Sequence, residues 1–195
     1  MVLPPECEME LALSAAPAHL REEAAVWVMA EDGYALGREG SNGFACIVNR
    51  DDPRSIKPTC FDPEGAETMV PRIELVGRML LDGASMDEIG ERLESAFASG
   101  EFIRPRRAGV AYMLSRHNRP WDSGAGRLGR FPPHVMIYAP DVTNEDIGID
   151  HQVLRGTPGL PFVGYEGPHG FIILVDDNLP SGEGDLSSCP AWIVE

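Results

Sequence analysis

The sequence predicts a single α+β domain spanning residues 1–195, in which a mainly antiparallel sheet carries a helical hairpin on one face. Two observations predict this class: strand-length apolar runs recur between Gly and Pro signals, and the apolar period changes to a helical one between residues 71 and 98. A single domain of this length buries about 70% of its unfolded surface, which is enough for a substantial core. No composition shift marks a second domain.

The amino-terminal part is predicted to contain one helix and three strands. Good helix formers run from Glu8 to Ala16 and stop at Pro17, because a proline disfavours helical geometry in the residue before it. Strands are predicted at 25–29, 34–39 and 44–49. Asp32-Gly33 and Asn42-Gly43 separate them, and both dipeptides are typical of tight hairpin turns. We therefore expect an antiparallel meander.

The helical hairpin of residues 71–98 has the clearest signals in the chain. Apolar residues recur at helical spacing after Pro71, and Gly83 stands where a left-handed carboxyl cap is needed. Ser85-Met-Asp-Glu88 is a capping box that opens the second helix, and Gly100 ends it. An amphipathic pair of this kind is expected to cover one face of the sheet.

The segment 107–139 holds the densest group of residues able to do chemistry. Two strand-length apolar runs, 109–115 and 134–139, flank a polar connection rich in His and Arg. Farther on, 162–166 is predicted as a short edge strand and 171–175 as a central strand, because the latter is continuously apolar. The candidate chemistry therefore lies beside the candidate core.

His134 is the principal candidate, because two prolines fix the chain before it and it shares a strand face with Met136 and Tyr138. An imidazole at the end of a strand can act as a base, a ligand or a hydrogen-bond donor. The alternative is a structural histidine bonded to a backbone carbonyl. If the two runs form an antiparallel hairpin, Tyr112 and Ser115 reach the same place and are candidate catalytic partners.

The candidate ligand-binding residues are Arg107, Arg116, His117, Met136 and Tyr138. Three arginines at 104, 106 and 107 follow one another in an acidic protein, so they form either an inward-facing anion site or a solvated loop. His151 and His169 lie in predicted loops and are expected to be exposed.

Composition and motifs argue against several classes of partner. A formal net charge of -15 repels phosphate backbones and anionic headgroups, so nucleic acid and membrane surfaces are disfavoured. No apolar run approaches the roughly 20 residues that span a bilayer. Gly124, Gly126 and Gly129 match a dinucleotide-binding fingerprint, but prolines follow where its helix must begin. The histidines form no pair at metal spacing, so we expect no cofactor and no metal.

The four cysteines, Cys7, Cys46, Cys60 and Cys189, form no C-x-x-C pair. Disulfides are favoured if the protein is exported, and four cysteines permit three pairings. Cys46 with Cys60 and Cys7 with Cys189 is the pairing we favour. The alternative is four buried free thiols in a cytosolic protein. The amino terminus lacks a basic n-region and a continuous apolar h-region, so no signal peptide is visible.

Five short segments together resemble an uncharacterised family of secreted bacterial proteins of about this length: Ser14–Pro17, Asn42–Cys46, Pro58–Asp62, Ala111–Ser115 and Pro133–Met136. The resemblance implies a secreted or periplasmic location, and export in turn favours disulfides. It implies no reaction, ligand or catalytic residue.

Two functional hypotheses follow from these residues. The first is an extracytoplasmic small-molecule-binding domain with its pocket near His134. The second is a metal-independent enzyme, a hydrolase or lyase, in which His134 is the general base and Arg107 or Arg116 stabilises developing negative charge. A binding domain would hold His134 in a mostly apolar pocket, whereas an enzyme would place a second titratable or nucleophilic group within hydrogen-bond reach of it.

Overall fold

The structure is a computed structural model that describes residues 2–157, 159–176, 178–182, 184 and 186–194. The helices are α1 Pro5–Ser14, α2 Ala18–Arg21, α3 Pro63–Thr68, α4 Val70–Leu81, α5 Met86–Ser99, α6 His151–Gly156 and α7 Ala191–Val194. The strands are β1 Ala25–Ala30, β2 Gly33–Arg38, β3 Ala45–Asn49, β4 Lys57–Phe61, β5 Val110–Met113, β6 Trp121–Asp122, β7 Arg127–Leu128, β8 His134–Tyr138, β9 Phe162–Tyr165 and β10 Phe171–Val175.

Eight of these strands form one sheet in the order β2-β1-β3-β4-β5-β8-β10-β9, and β6 pairs with β7 in a separate ribbon. The β1–β3 pair is parallel, whereas the other neighbours in the large sheet are antiparallel. The predicted α+β class with a mainly antiparallel sheet is therefore confirmed.

The predicted meander is wrong, because β3 pairs with β1 and not with β2. Leu36 of β2 is 47% exposed, which suits an edge strand, whereas the first four residues of β3 are buried and need a neighbour on each side. The connection between β2 and β3 crosses the start of β1, where Ser41 N donates to Glu23 O at 2.8 Å. A side chain at Gly40 would collide with the backbone of Ala24 and Ala25, so this close crossing requires glycine.

The sheet has a separate apolar cluster on each face, because successive side chains of a strand point in opposite directions. On the α1 face, Cys46 and Val48 of β3 pack with residues of α1. On the α4 face, Ala45 and Ile47 of the same strand pack with residues of α4. A helix therefore covers part of each face.

The two predicted helices of the hairpin are present as α4 and α5. The capping box at Ser85 and Glu88 is formed, and Gly100 ends α5 in the left-handed region with φ 79°. In α4 four residues are buried, but in α5 only Ile89 and Ala96 are. Packing of the pair as one unit on a sheet face stays a prediction. Within the described residues, no helix is both long and apolar enough to cross a membrane.

The cysteines pair as the sequence favoured, with both pairs at disulfide distance. Cys46 faces Cys60 directly across the β3–β4 ladder. Cys7 of α1 joins Cys189, which lies 182 residues later in the segment before α7. The second pair therefore ties the two ends of the described chain together on the α1 face.

A buried ion pair links α1 to the residue after β3. The guanidinium of Arg50 donates to both carboxylate oxygens of Glu8, at 2.6 and 2.7 Å, and both side chains are almost fully buried. Arg50 also donates to Val48 O at 2.8 Å. The two opposite charges therefore compensate each other, and these hydrogen bonds leave few polar atoms of the pair without a partner.

Replacing Arg50 with Met should lower the free energy of unfolding by about 3–5 kcal/mol, because Glu8 would remain as an uncompensated buried charge. Arg54 is the control, since its pair with Asp52 is largely exposed. Arg54→Met should change stability by less than about 1 kcal/mol. Urea denaturation measures both, and equal losses in the two variants would contradict a dominant role for the buried pair.

The denatured, unreduced protein should show no free thiol in a titration with Ellman's reagent, and all four cysteines should react after reduction. Loss of the Cys46–Cys60 link, whose sequence separation is 14, should cost about 3 kcal/mol in the chain-entropy model. The Cys46→Ala, Cys60→Ala double variant measures that cost by urea denaturation. Four reactive thiols without reductant would exclude both bridges.

Candidate functional site

A cavity of about 470 Å³ lies on the α4 face of the sheet. Its walls come from α4 and from strands β5, β8, β9 and β10. Most of the cavity surface is apolar, and the side chains that form it include Met69, Ile73, Met113, Met136, Phe171 and Ile173. Polar side chains are concentrated at the two ends of the cavity.

Strand register decides which side chains reach this cavity. Met113 of β5 lies opposite His134 of β8, and Ile173 of β10 lies opposite Met136. Because alternate residues of a strand share a face, these four side chains line the cavity together. Tyr112 lies opposite Val135 and belongs to the other face.

His134 stands at one end of the cavity and is 2% exposed. Its Nδ1 is 2.8 Å from Pro132 O, and since a carbonyl only accepts, Nδ1 carries the proton and Nε2 is left as an acceptor. Burial lowers the pKa of His134, the bond to Pro132 opposes this, and the charge of Lys57 lowers it further. The ring is therefore neutral at pH 7, and it packs edge-on against Phe131.

Asn118 lines the same end of the cavity. Its backbone carbonyl accepts a hydrogen bond from Phe131 N at 3.1 Å, which places it next to the ring that packs on His134. The side chain is buried, and its Oδ1 has no hydrogen-bond partner among the residues that the structure describes. This acceptor is therefore buried and unpaired within the described structure.

His169 stands at the other end of the cavity and is 1% exposed. Its Nε2 donates to Ile103 O at 2.9 Å, so Nδ1 is the acceptor, and this buried atom has no partner in the described part of the chain. Burial, together with the charge of Arg72, lowers the pKa of His169 from 6.5 to about 4. Phe97 packs edge-on against the ring and holds it in place.

Arg72 of α4 completes this second end. Its guanidinium lies 5.2 Å from the ring centre of Tyr165, and one Nη lies 3.5 Å from the hydroxyl oxygen of the same tyrosine. Its Nε is buried without a partner. Two other cations on the wall, Arg50 and Lys57, form ion pairs with Glu8 and Asp51, but no described carboxylate pairs with Arg72.

Of the candidate residues predicted from the sequence, His134 and Met136 line the cavity. Tyr112 instead stacks on Phe44 on the α1 face, with ring centres 6.4 Å apart. The buried hydroxyl of Ser115 shares a hydrogen bond of 2.7 Å with Ser14. The expected strands do pair antiparallel, but Tyr112 lies opposite Val135, and Ser115 lies beyond the paired residues in a bridge to Gly182.

The remaining candidates also lie away from the cavity. Tyr138 donates to Asp62 Oδ1 at 2.8 Å, and His117 Nδ1 donates to Ile193 O at 3.0 Å. Arg107 Nε lies 3.2 Å from Glu64 Oε2. The carboxylate that pairs with this arginine therefore belongs to the protein itself and not to a ligand. Arg116 lines a second, open pocket with Arg130 and Asp176.

Sequence reasoning missed Arg72, Asn118 and His169 as site residues. The expectation that His169 is exposed is wrong, because its ring is enclosed by Phe97 and the loop at Ile103. The side chain of His151 lies outside the described residues. No motif signals these three residues, since only the tertiary fold brings one helix and two loops to a common cavity.

Among the described residues, no group of three or more His, Cys, Asp or Glu side chains is arranged to hold a metal ion. Comparison with protein-family models, with curated proteins and with solved structures found no match.

His169 should titrate with a midpoint near pH 4 in ¹H–¹⁵N NMR spectra of the imidazole nitrogens, and its neutral form should carry the proton on Nε2. Since the folded pKa is depressed, the stability that the neutral ring contributes is fully present above about pH 6.5 and is lost as the pH falls toward 4. A midpoint near 6.5 would show that the ring is solvated.

Proposed function

We propose that this protein is a small-molecule-binding domain whose ligand occupies the cavity on the α4 face. One observation carries the proposal. The wall of the cavity is mainly apolar, and a few polar side chains contribute to it, namely Arg72, Asn118, His134 and His169. A ligand that fills this space removes the apolar wall from water, which is favourable.

The walls indicate the character of the ligand. Met69, Met86, Met113 and Met136 all contribute, and flexible thioether side chains adapt to irregular apolar shapes. A cavity of about 470 Å³ with an apolar lining and a few convergent polar groups is typical of small-molecule sites. The ligand should therefore be mostly apolar, with polar groups at its ends.

The second candidate is a metal-independent hydrolase or lyase that uses His134 as general base. The unprotonated Nε2 of the neutral ring favours it. Against it, His134 donates to the backbone carbonyl of Pro132, and no other described residue supplies a titratable or nucleophilic group within hydrogen-bond reach of its ring. The binding role is therefore better supported than the catalytic one.

The proposed location is secreted or periplasmic. Two cysteine pairs at disulfide distance support it, because disulfides persist in oxidising compartments and are rare in the cytosol. The resemblance to a secreted bacterial family supports the same location.

Nile red, a neutral apolar dye, should bind in the cavity and gain fluorescence. Met136→Trp, which fills the cavity from β8, should weaken binding at least about tenfold. The matched control is Ile137→Trp on the same strand, because Ile137 is 39% exposed and does not line the cavity. Equal affinities in the two variants would mean that the dye binds elsewhere and that the proposed pocket is wrong.

The alternative has its own test. If the protein hydrolyses p-nitrophenyl esters and His134→Ala abolishes the turnover while the variant still binds Nile red, the enzyme hypothesis replaces the binding one. If turnover is absent or independent of His134, general-base catalysis by this residue is excluded for these esters.

A further inference from the structure

The unprotonated nitrogen of His134 is open to the cavity. Nδ1 of this ring donates to Pro132 O, and no described residue bonds Nε2. The buried unpaired atoms of the described residues include His169 Nδ1 but not His134 Nε2, so Nε2 keeps contact with open space. Because His134 is almost fully buried and lines the cavity, that space is the cavity itself. An acceptor therefore faces the ligand.

The amide of Asn118 supplies a donor in the same way. Its Oδ1 is enclosed, but its Nδ2 is not one of the buried unpaired atoms and bonds no described residue. A side-chain amide nitrogen has two hydrogens to donate. Since Asn118 lines the cavity and is 2% exposed, a group inside the cavity can accept from Nδ2.

Strand pairing and Phe131 bring these two residues to one end of the cavity. The residue after Asn118 bridges Ile56, which precedes β4, and His134 begins β8. The starts of β4 and β8 lie at the same end of the sheet, because both strands run antiparallel to β5 between them. Phe131 N donates to Asn118 O at 3.1 Å, and its ring centre lies 4.8 Å from that of His134. The acceptor and the donor therefore belong to one polar end.

The charged side chains on this part of the wall are already paired. Arg50 donates to Glu8, and Lys57 Nζ lies 2.6 Å from Asp51 Oδ2. The ring of His134 is neutral at pH 7, because burial lowers its pKa. A head group with its own charge would leave water without gaining a counterion here, which is costly. A neutral head group avoids that cost.

These constraints select the chemistry of the head group. It must be neutral, must donate to His134 Nε2 and must accept from Asn118 Nδ2. A hydroxyl does both with a single oxygen, which carries one hydrogen and two lone pairs. An ether has no hydrogen to donate, and a carboxylate lacks the hydrogen and carries a charge as well.

The wall beyond this end sets the body of the ligand. Met113 lies opposite His134, Met136 follows two residues along β8, and Ile173 lies opposite Met136. All three side chains line the cavity and are apolar. The part of the ligand that extends from the head group should therefore be hydrocarbon.

We propose that the cavity binds a neutral hydroxyl compound with an apolar body, either a phenol or a long-chain alcohol, whose hydroxyl donates to His134 Nε2 and accepts from Asn118 Nδ2. This inference rests on the proposed function, because it names the ligand class for the same cavity.

Displacement of Nile red by compounds that differ only in their head group tests the proposal. The phenol series is para-hexylphenol, its methyl ether, hexylbenzene and para-hexylbenzoate, and the alcohol series is decanol and its methyl ether. At least one hydroxyl compound should bind about tenfold or more tighter than its own ether, because the ether leaves the buried nitrogen of His134 unpaired. The benzoate should bind more weakly than the phenol. The series with the larger preference identifies the source of the hydroxyl.

His134→Phe removes the acceptor and keeps an aromatic ring against Phe131. The ratio of phenol to ether affinity should fall to about one in this variant, while Nile red still binds. His19→Phe is the matched control, because His19 is exposed on α2 and does not line the cavity. The control should keep the ratio of the unchanged protein. If His134→Phe no longer binds Nile red, the comparison of phenol and ether on the unchanged protein decides the proposal.

Asn118→Leu tests the donor separately. This variant should lower the affinity for the phenol and for its ether at least about threefold, because both oxygens accept from Nδ2. It should leave the affinity for hexylbenzene unchanged. An equal loss for all three compounds would mean that Asn118 acts only on the shape of the cavity, which overturns its role as a donor.

Three other results would overturn the proposal. Equal affinities of each hydroxyl compound and its ether would remove the hydroxyl requirement, and tightest binding by the benzoate would remove the neutral head group. A phenol preference that persists in His134→Phe would mean that the hydroxyl binds elsewhere. In each case Nile red binding that depends on Met136 would leave the proposed function standing. Loss of that dependence is the separate result that removes the pocket itself.

Discussion

The antiparallel pairing of β5 with β8 is the contact on which the site depends. It joins the strands of the amino-terminal half to those of the carboxyl-terminal half in one sheet. Its register, with Met113 opposite His134, also decides which side chains face α4 and which face α1. A shift of one residue would turn Met113 to the other face and place Tyr112 on the same face as His134.

Several buried polar side chains of the described residues are paired within the protein. Glu8 and Arg50 neutralise each other, Ser14 pairs with Ser115, and Tyr138 donates to Asp62. In contrast, Arg72, Asn118 and His169 keep an unpaired buried atom, and all three line the same space. The cavity therefore combines a mostly apolar wall with a few polar side chains.

Local signals in the sequence were sufficient for α4 and α5, but they did not predict the short helices α2, α3, α6 and α7. The capping box at Ser85 and the glycine after α5 depend only on neighbouring residues, so both were predictable. The position of β3 was not, because Asn42-Gly43 has the composition of a hairpin turn while the burial of β3 favours a central place beside β1. The Asn42-Gly43 turn therefore does not join β2 to β3 as a hairpin, because the apolar strand β3 is more stable where both of its faces are covered.

The site was predictable only in part, for a related reason. His134 and Met136 share a strand, so their common face follows from its period of two. His169, Asn118 and Arg72 come from two loops and a helix, and nothing local shows that they converge. Tyr112 and Ser115 were grouped with His134 because they are near it along the paired strands. Tyr112 lies opposite Val135 and faces α1, whereas Ser115 lies beyond the paired residues and bonds Ser14 of α1.

The most direct test of the central claim, that the cavity on the α4 face is the ligand site, is a crystal structure of the protein with Nile red. The claim predicts density for the dye inside the cavity, in contact with Met136 and Ile173. Density for the dye only at other places on the protein would contradict it.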